Sequence, residues 1–230
     1  MNHQTVEELA RSLNDEGLRE EYKRPYDNYK TSWLPRLLGE LLIACGNIVY
    51  GFQPSYLKFR AIEVIARVPY FSWESAAYTL LTWGYANEQK AIKLSNISAF
   101  ARLAQDNETM HVVVISQFTK REPGGGMVLY TLIPLIFAFF YFWVLYVLYL
   151  IKPRYSLELN YLFEQHAYDH YSEFLKINGE ALKEKSADCE FLTWYGRDVR
   201  NQYEFFELVR NDELIHRNRS IRELELHCAP

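Results

Sequence analysis

Cysteine is scarce in this chain: Cys45, Cys189 and Cys228 are odd in number, far apart and in no Cys-x-x-Cys arrangement. That excludes a disulfide framework and a zinc ribbon, and points to a reducing compartment. Basic charge is equally short of a pattern. Lys and Arg total 25 against 29 acids, for a net charge of −4, and no basic stripe exists to track a nucleic acid. No Rossmann fingerprint and no Gly-x-Ser-x-Gly occur, which removes nicotinamide chemistry and serine hydrolysis. Gly124-Gly-Gly126 is followed by an apolar run rather than Lys-Ser/Thr, so it is no phosphate loop. Strand-type alternation is nearly missing. The stretch 1–30 is polar and acid-rich, lacking both the apolar core of a secretory signal and the acid-poor character of a transit peptide. The expectation is a bacterial or phage-encoded chain, or one already processed, with an arm over 1–30 and one domain over 31–230.

What is abundant is aromatic and apolar: 16% of residues are Phe, Tyr or Trp, with 18 Tyr and 14 Phe. Periodicity predicts helices over about 33–52, 56–85, 89–119, 127–151, 155–177 and 198–226. Pro69 should kink the second, since it brings no amide donor. Glu122-Pro-Gly-Gly-Gly126 should end the third, and Asn178-Gly179 the fifth. Chemistry concentrates in two short stretches, Glu108-Thr-Met-His111 and Glu213-Leu-Ile-His216. Each sets a carboxylate and an imidazole one turn apart on one helix face. Alone, two such pairs are a mild excess over chance. Glu63 and Glu164, however, sit in apolar or aromatic helical stretches where a charge is costly unless paired or metal-bound. The order Glu, Glu-x-x-His, Glu, Glu-x-x-His is how an all-α, ferritin-like four-helix bundle holds two metal ions. Oxygen and imidazole donors without sulfur suit iron or manganese.

The runs Ile65-Ala-Arg-Val-Pro-Tyr-Phe71 after Glu63, Asn107-Glu-Thr-Met-His111, Glu164-Gln-His-Ala-Tyr-Asp-His-Tyr171 and Asn211-Asp-Glu-Leu-Ile-His216 resemble the four ligand motifs of the alternative oxidases. They are most similar to those of the plastid terminal oxidase branch, the plastoquinol oxidases of chloroplasts and cyanobacteria. The resemblance runs from about residue 35 to about 222. It implies a di-iron carboxylate centre held by Glu63, Glu108, His111, Glu164, Glu213 and His216, reducing O₂ to water with two quinols, without proton pumping. It also implies a homodimer attached to one membrane leaflet, on the cytoplasmic or stromal-equivalent face of a thylakoid or plasma membrane.

Tyr171 follows Glu164 by seven residues, two turns along the same face, and by resemblance matches the redox-active tyrosine of the family. The plainer alternative is a core tyrosine with a satisfied hydroxyl. Asn107 and Asp212 resemble residues that hydrogen-bond the ligands; on spacing alone each is equally a solvated helix residue. For the quinol head group the resemblance points to Lys58, Ile62, Phe163, His166, Ala167 and His170. An Arg is usual at the position of Lys58, and a lysine cannot make the same bidentate contact. His166 or His170 is a candidate relay for quinol protons, or otherwise a packed or surface histidine. His3 and His227 are read as solvent-facing. Glu40 and Glu74 have no matching motif, and Glu74, three turns after Glu63, is a candidate outer partner of the site.

Residues 127–151 carry no charge and are long enough to cross a bilayer. One crossing would put Glu108 and His111 on the opposite side from Glu164, Glu213 and His216. If the metal site exists, the run is therefore expected to lie along the membrane surface, to dip in and return, or to pack on the bundle; its aromatics suit an interfacial position, with the helix near 33–52 beside it. Two rivals stand: a di-iron quinone-ring hydroxylase of the same bundle type, separable by its product, and a non-catalytic membrane-associated helical protein, separable by its lack of metal.

Overall fold

A computed structural model describes residues 3–121 and 126–228, and all regular structure in them is helical. In chain order the helices are α1 (His3–Ser12), α2 (Glu16–Lys23), α3 (Trp33–Tyr50), α4 (Tyr56–Ala66), α5 (Val68–Gly84), α6 (Glu88–Phe118), α7 (Ile133–Ile151), α8 (Pro153–Lys183), α9 (Glu190–Tyr195) and α10 (Gln202–Cys228). The four legs of the bundle are α4 with α5, then α6, α8 and α10; α8 packs on α10 and the α4–α5 leg on α6. The expected breaker at Glu122–Gly125 and the side chain of His227 fall outside the described residues.

Local chemistry sets the boundaries. Ser55 accepts a hydrogen bond from the Lys58 amide at 3.3 Å and Asn87 from the Lys90 amide at 3.0 Å, capping α4 and α6. Pro69 does more than kink its helix. It sits in the first turn of α5, with Arg67 between the two pieces, so the missing amide falls where a helix start needs none. Lys152 is extended (φ −152°, ψ 90°), as expected before a proline, and α8 starts at Pro153. The expected stop at Asn178-Gly179 does not occur, and α8 runs on to Lys183. Asn178 turns its amide onto the Phe174 carbonyl at 3.2 Å, and a Cβ on Gly179 would stand 3.3 Å from the Tyr203 ring. The glycine there serves close packing, and burial of Phe174, Leu175 and Leu182 outweighs its helix cost of about 1 kcal/mol.

The described part of 1–30 is helical and docked rather than a free polar arm. Val6, Ala10 and Leu13 recur on one face and bury against Tyr168, Leu208, Leu214 and Ile215. Full burial of a side chain such as Leu13 is worth about 1.5–3 kcal/mol. Buried Arg217 of α10 reinforces the attachment, donating to Asp27 at 2.9 Å and to the Lys23 carbonyl at 2.7 Å.

Among the described residues one helical stretch, Val128–Ile151, is long and apolar enough to cross a membrane. In the fold α7 lies along the bundle against α4, α5 and α8, burying only Pro134, Tyr141, Leu145 and Tyr149. Its other face exposes Leu135, Ile136, Phe139, Phe140, Trp143, Val144 and Val147. Alongside it α3 exposes Trp33, Leu37, Leu41 and Ile48, with Leu38 and Leu42 packed on the cluster of Val68, Tyr141, Leu145 and Leu159. The two helices form one broad apolar surface.

Candidate metal centre

Each leg of the bundle turns acidic or imidazole groups to a common centre. Glu63 comes from α4, Glu108 and His111 from α6, Glu164 from α8, and Glu213 and His216 from α10. All six are at most 2% exposed. Their donor atoms fall into two sets, each within 4.8 Å: Glu63, Glu108, His111 and Glu213, then Glu108, Glu164, Glu213 and His216. Glu108 and Glu213, the acids of the two Glu-x-x-His pairs, belong to both sets. Each has one oxygen to give to either side.

The donors lack ordinary partners. His111 Nδ1 lies 3.4 Å from Glu63 Oε2, 3.5 Å from Glu108 Oε2 and 3.4 Å from Glu213 Oε1, and His216 Nδ1 lies 2.8 Å from Glu108 Oε1. Despite that proximity, these nitrogens, Glu63 Oε2 and both oxygens of Glu108 and Glu213 form no hydrogen bond. A buried polar group left unsatisfied costs about 1–3 kcal/mol, and so many converging on one volume fit bound cations.

The electrostatics agree. Burial, with Glu108 nearby, pushes the Glu63 carboxyl up to about 8, against the pull of His111. Burial and the charges of Glu108 and Glu164 raise Glu213 well above the carboxylate range. Burial also raises Glu108, but His111 and His216 outweigh it and hold that carboxyl low. Burial disfavours charge on His111, yet Glu108 and Asp212 drive its pKa well up. The cluster draws protons where a cation would otherwise sit.

A ring of polar residues orients these donors. Asp212 Oδ2 lies 3.0 Å from His111 Nε2, fixing the ring so that Nδ1 faces the carboxylates. The same oxygen takes 2.6 Å from Arg197 Nη1 and 3.2 Å from Asn107 Nδ2, and Arg197 reaches Glu7 of α1 at 2.7 Å. Tyr171 donates to Glu63 Oε1; Tyr70 donates to Glu164 Oε1 at 2.6 Å, which also accepts from Asn160 at 3.0 Å. Tyr70, Asn160, Arg197 and Glu7 were not singled out in the sequence. Only Tyr70 left a signal there, repeating after Glu63 the spacing of Tyr171 after Glu164. Glu74 instead pairs with Arg102 at 3.2 Å, and Glu40 is exposed.

The alternative oxidase family model matches residues 50–223, a span that holds every one of these donors. The chain belongs to the alternative oxidase family. A relative in Arabidopsis thaliana, ubiquinol oxidase 4, chloroplastic/chromoplastic, is 26% identical over 182 residues, covering 70% of this chain and 49% of the relative. The chain thus spans about half the length of that curated relative. No solved structure matches. The family's cofactor is a di-iron carboxylate centre, which the unpartnered oxygen and imidazole donors fit, and the family is membrane-associated.

Beside the centre of this alternative oxidase family chain lies a cavity of about 180 Å³, walled by α3, α4, α7 and α8 and reaching Glu63, Glu164 and Tyr171. Of the residues marked for a quinol, Ile62, Phe163, His166, Ala167 and His170 line it. Lys58 stands outside the wall: its ammonium donates to Asn47 Oδ1 and the Gly51 carbonyl, both at 2.8 Å. Asn47 is itself on the wall. Gly51 takes φ +89°, which suits glycine and lets the α3 terminus bend its carbonyl to this lysine. His166 and His170 pack edge to face with ring centres 4.2 Å apart. Burial holds both at about 4, with His170 and Lys58 adding to the effect on His166, and Lys58 to that on His170. The buried Tyr141 hydroxyl, also on the wall, has no hydrogen-bond partner.

Proposed function

We propose that this chain is a quinol:oxygen oxidoreductase, passing four electrons from two quinols to O₂ to give two quinones and two waters. One observation carries the reading: an apolar cavity runs from the apolar surface of α3 and α7 to two acids of the donor cluster, Glu63, whose Oε2 has no hydrogen-bond partner among the described residues, and Glu164. Six side chains, Glu63, Glu108, His111, Glu164, Glu213 and His216, would hold two irons, with Glu108 and Glu213 belonging to both donor sets. Bound there, the iron pair supplies the redox chemistry that joins quinol oxidation to dioxygen reduction.

The chain's own residues do the rest. A quinol enters from the membrane side because most of the wall it crosses is apolar. The free Tyr141 hydroxyl donates to one of its oxygens, while Ile62, Phe163 and Ala167 enclose the ring. His166 and His170, neutral at pH 7, accept the hydroxyl protons the quinol loses, and Lys58 acts through Asn47. Tyr171, on the cavity wall and hydrogen-bonded to Glu63, holds a proton between cavity and centre and can lend that proton with one electron to dioxygen reduction, both being restored to it from the second quinol. Asn107 and Asp212 hold His111 in register. The domain spans 31–230 with the stretch 1–30 docked on it, and α3 and α7 are seated in one leaflet on the cytoplasmic or stromal-equivalent face. The protein works as a homodimer, with plastoquinol the preferred donor by likeness to the plastid branch.

The deciding experiment is oxygen uptake by purified, iron-loaded protein given a reduced plastoquinol analogue. Uptake insensitive to cyanide and suppressed by hydroxylated-benzoate analogues is expected. A hydroxylated quinone ring among the products would assign the chain to ring hydroxylation, and absence of iron after anaerobic reconstitution would leave no enzyme at all.

A further inference from the structure

Glu63 and Glu164 are each followed seven residues later by a tyrosine, Tyr70 and Tyr171, yet each tyrosine serves the other's glutamate. Tyr171 donates to Glu63 and Tyr70 to Glu164. The arrangement is a crossed pair about the centre, and its two arms differ in surroundings. Tyr171 lies on the cavity wall, stacked on Phe59 with ring centres 4.1 Å apart. Tyr70 is fully buried behind the centre, edge-on to Trp73 at 5.2 Å and Phe100 at 5.8 Å, with the His216 ring 5.3 Å away. No wall of the cavity includes it.

We propose that Tyr70 is a positioning residue for one half of the metal centre: with Asn160 it occupies Glu164 Oε1, so that this carboxylate turns its other oxygen to the second donor set. The geometry supports a directed role. Both donors converge on the same oxygen, at 2.6 Å and 3.0 Å. Asn160 also donates to the Tyr70 oxygen at 3.1 Å and to Ser220 at 3.1 Å, and Ser220 is anchored on the His216 carbonyl at 3.0 Å. Glu164 and His216, the two members peculiar to the second set, are thus tied together through Asn160, and Tyr70 locks the carboxylate against rotation. Three aromatic neighbours keep the phenol aimed. Substrate cannot reach it, so its part is in holding metal rather than in handling the quinol.

This rests on the proposed ligand set, and metal binding tests it without turnover. Ferrous iron is titrated anaerobically into stripped full-length protein against a chelator; Glu63→Ala and Glu164→Ala identify which of the two binding steps belongs to which donor set. Tyr70→Phe should weaken the step lost in Glu164→Ala by ~10-fold, the low end for loss of a ligand's hydrogen-bond partner, and leave the other step unchanged. Tyr171→Phe should show the opposite selectivity. Trp73→Phe, which alters packing on Tyr70 and leaves its hydroxyl, should lower thermal stability without moving either step. Equal weakening of both steps by Tyr70→Phe, or none, overturns the proposal. Should that variant fail to fold, Asn160→Ala is judged by the same selectivity. Wild-type protein that takes up no iron would overturn the metal-centre reading instead, a result distinct from either.

Discussion

Helices α7 and α10 invert the usual rule that charge goes outside and hydrocarbon inside. Between Ile133 and Ile151, α7 has no charged residue, yet most of it is open to the surroundings. In α10, Arg210, Asp212, Glu213, His216, Arg217 and Glu223 are all buried. The difference teaches what each helix is solvated by. For α10 the solvent is the rest of the cluster: Asp212 meets Arg197 and His111, Arg217 meets Asp27, and Glu213 faces the metal-binding volume. For α7, on the proposed function, the counterpart is a lipid leaflet, into which apolar and aromatic side chains partition at the interface.

The harshest way to break the buried side of this contrast is Glu213→Ala. It removes an acid common to both donor sets and should abolish iron binding at both positions, with oxygen uptake at background, as elemental analysis and an oxygen electrode would register. Tyr171→Phe is subtler. At saturating ferrous iron, which offsets the weakened Glu63-side step, iron content should stay near wild type while turnover falls by about 100-fold or more, the scale of a lost proton-transfer group; undiminished uptake would remove Tyr171 from the mechanism.

On the exposed side, Phe140→Glu combined with Trp143→Glu should release the protein from liposomes in a flotation assay. Stability should change by only about 0.5 kcal/mol, as is usual for surface substitutions, and iron content should hold. A large loss of stability would mean that α7 faces protein instead of lipid.

The smallest effect sharpens the electrostatic side. Glu63, ordinarily at 4.5, is held at about 8 by burial and by Glu108, so the metal-free fold favours its protonated form. That stabilisation is complete below pH 4.5 and is lost as pH rises through about 8. The melting temperature of metal-free protein should therefore drift down across that window, while iron affinity, which needs the carboxylate, rises across it. Glu63→Gln should flatten its share of both trends.

How much of this was legible beforehand varied from element to element. The Glu-x-x-His pairs were readable because their geometry is local: three residues of α-helix set the two side chains on one face whatever surrounds them. The helix starts expected near 56, 89 and 155 were equally local and fall within two residues of those observed, Tyr56, Glu88 and Pro153. The end of α8 was misread because Asn178-Gly179 is a stop by propensity, and only packing against Tyr203 overrode it. The buried Arg197 and Asn160 and the half-buried Glu7 were invisible, since a polar residue in a polar stretch looks the same whether it ends in water or on a ligand. The stretch 1–30 was misjudged likewise: three apolar positions in a charged segment are a weak signal until a receiving surface exists.

The amino-acid order alone therefore determined the helical class, the ligand motifs in sequence and the apolar run, because each follows from spacing within one helix. Tertiary packing decided which two acids are shared between donor sets, that each tyrosine crosses to the opposite glutamate, and that α7 lies against the bundle. Those outcomes depend on where separate helices meet, and backbone periodicity carries no information about the direction of approach.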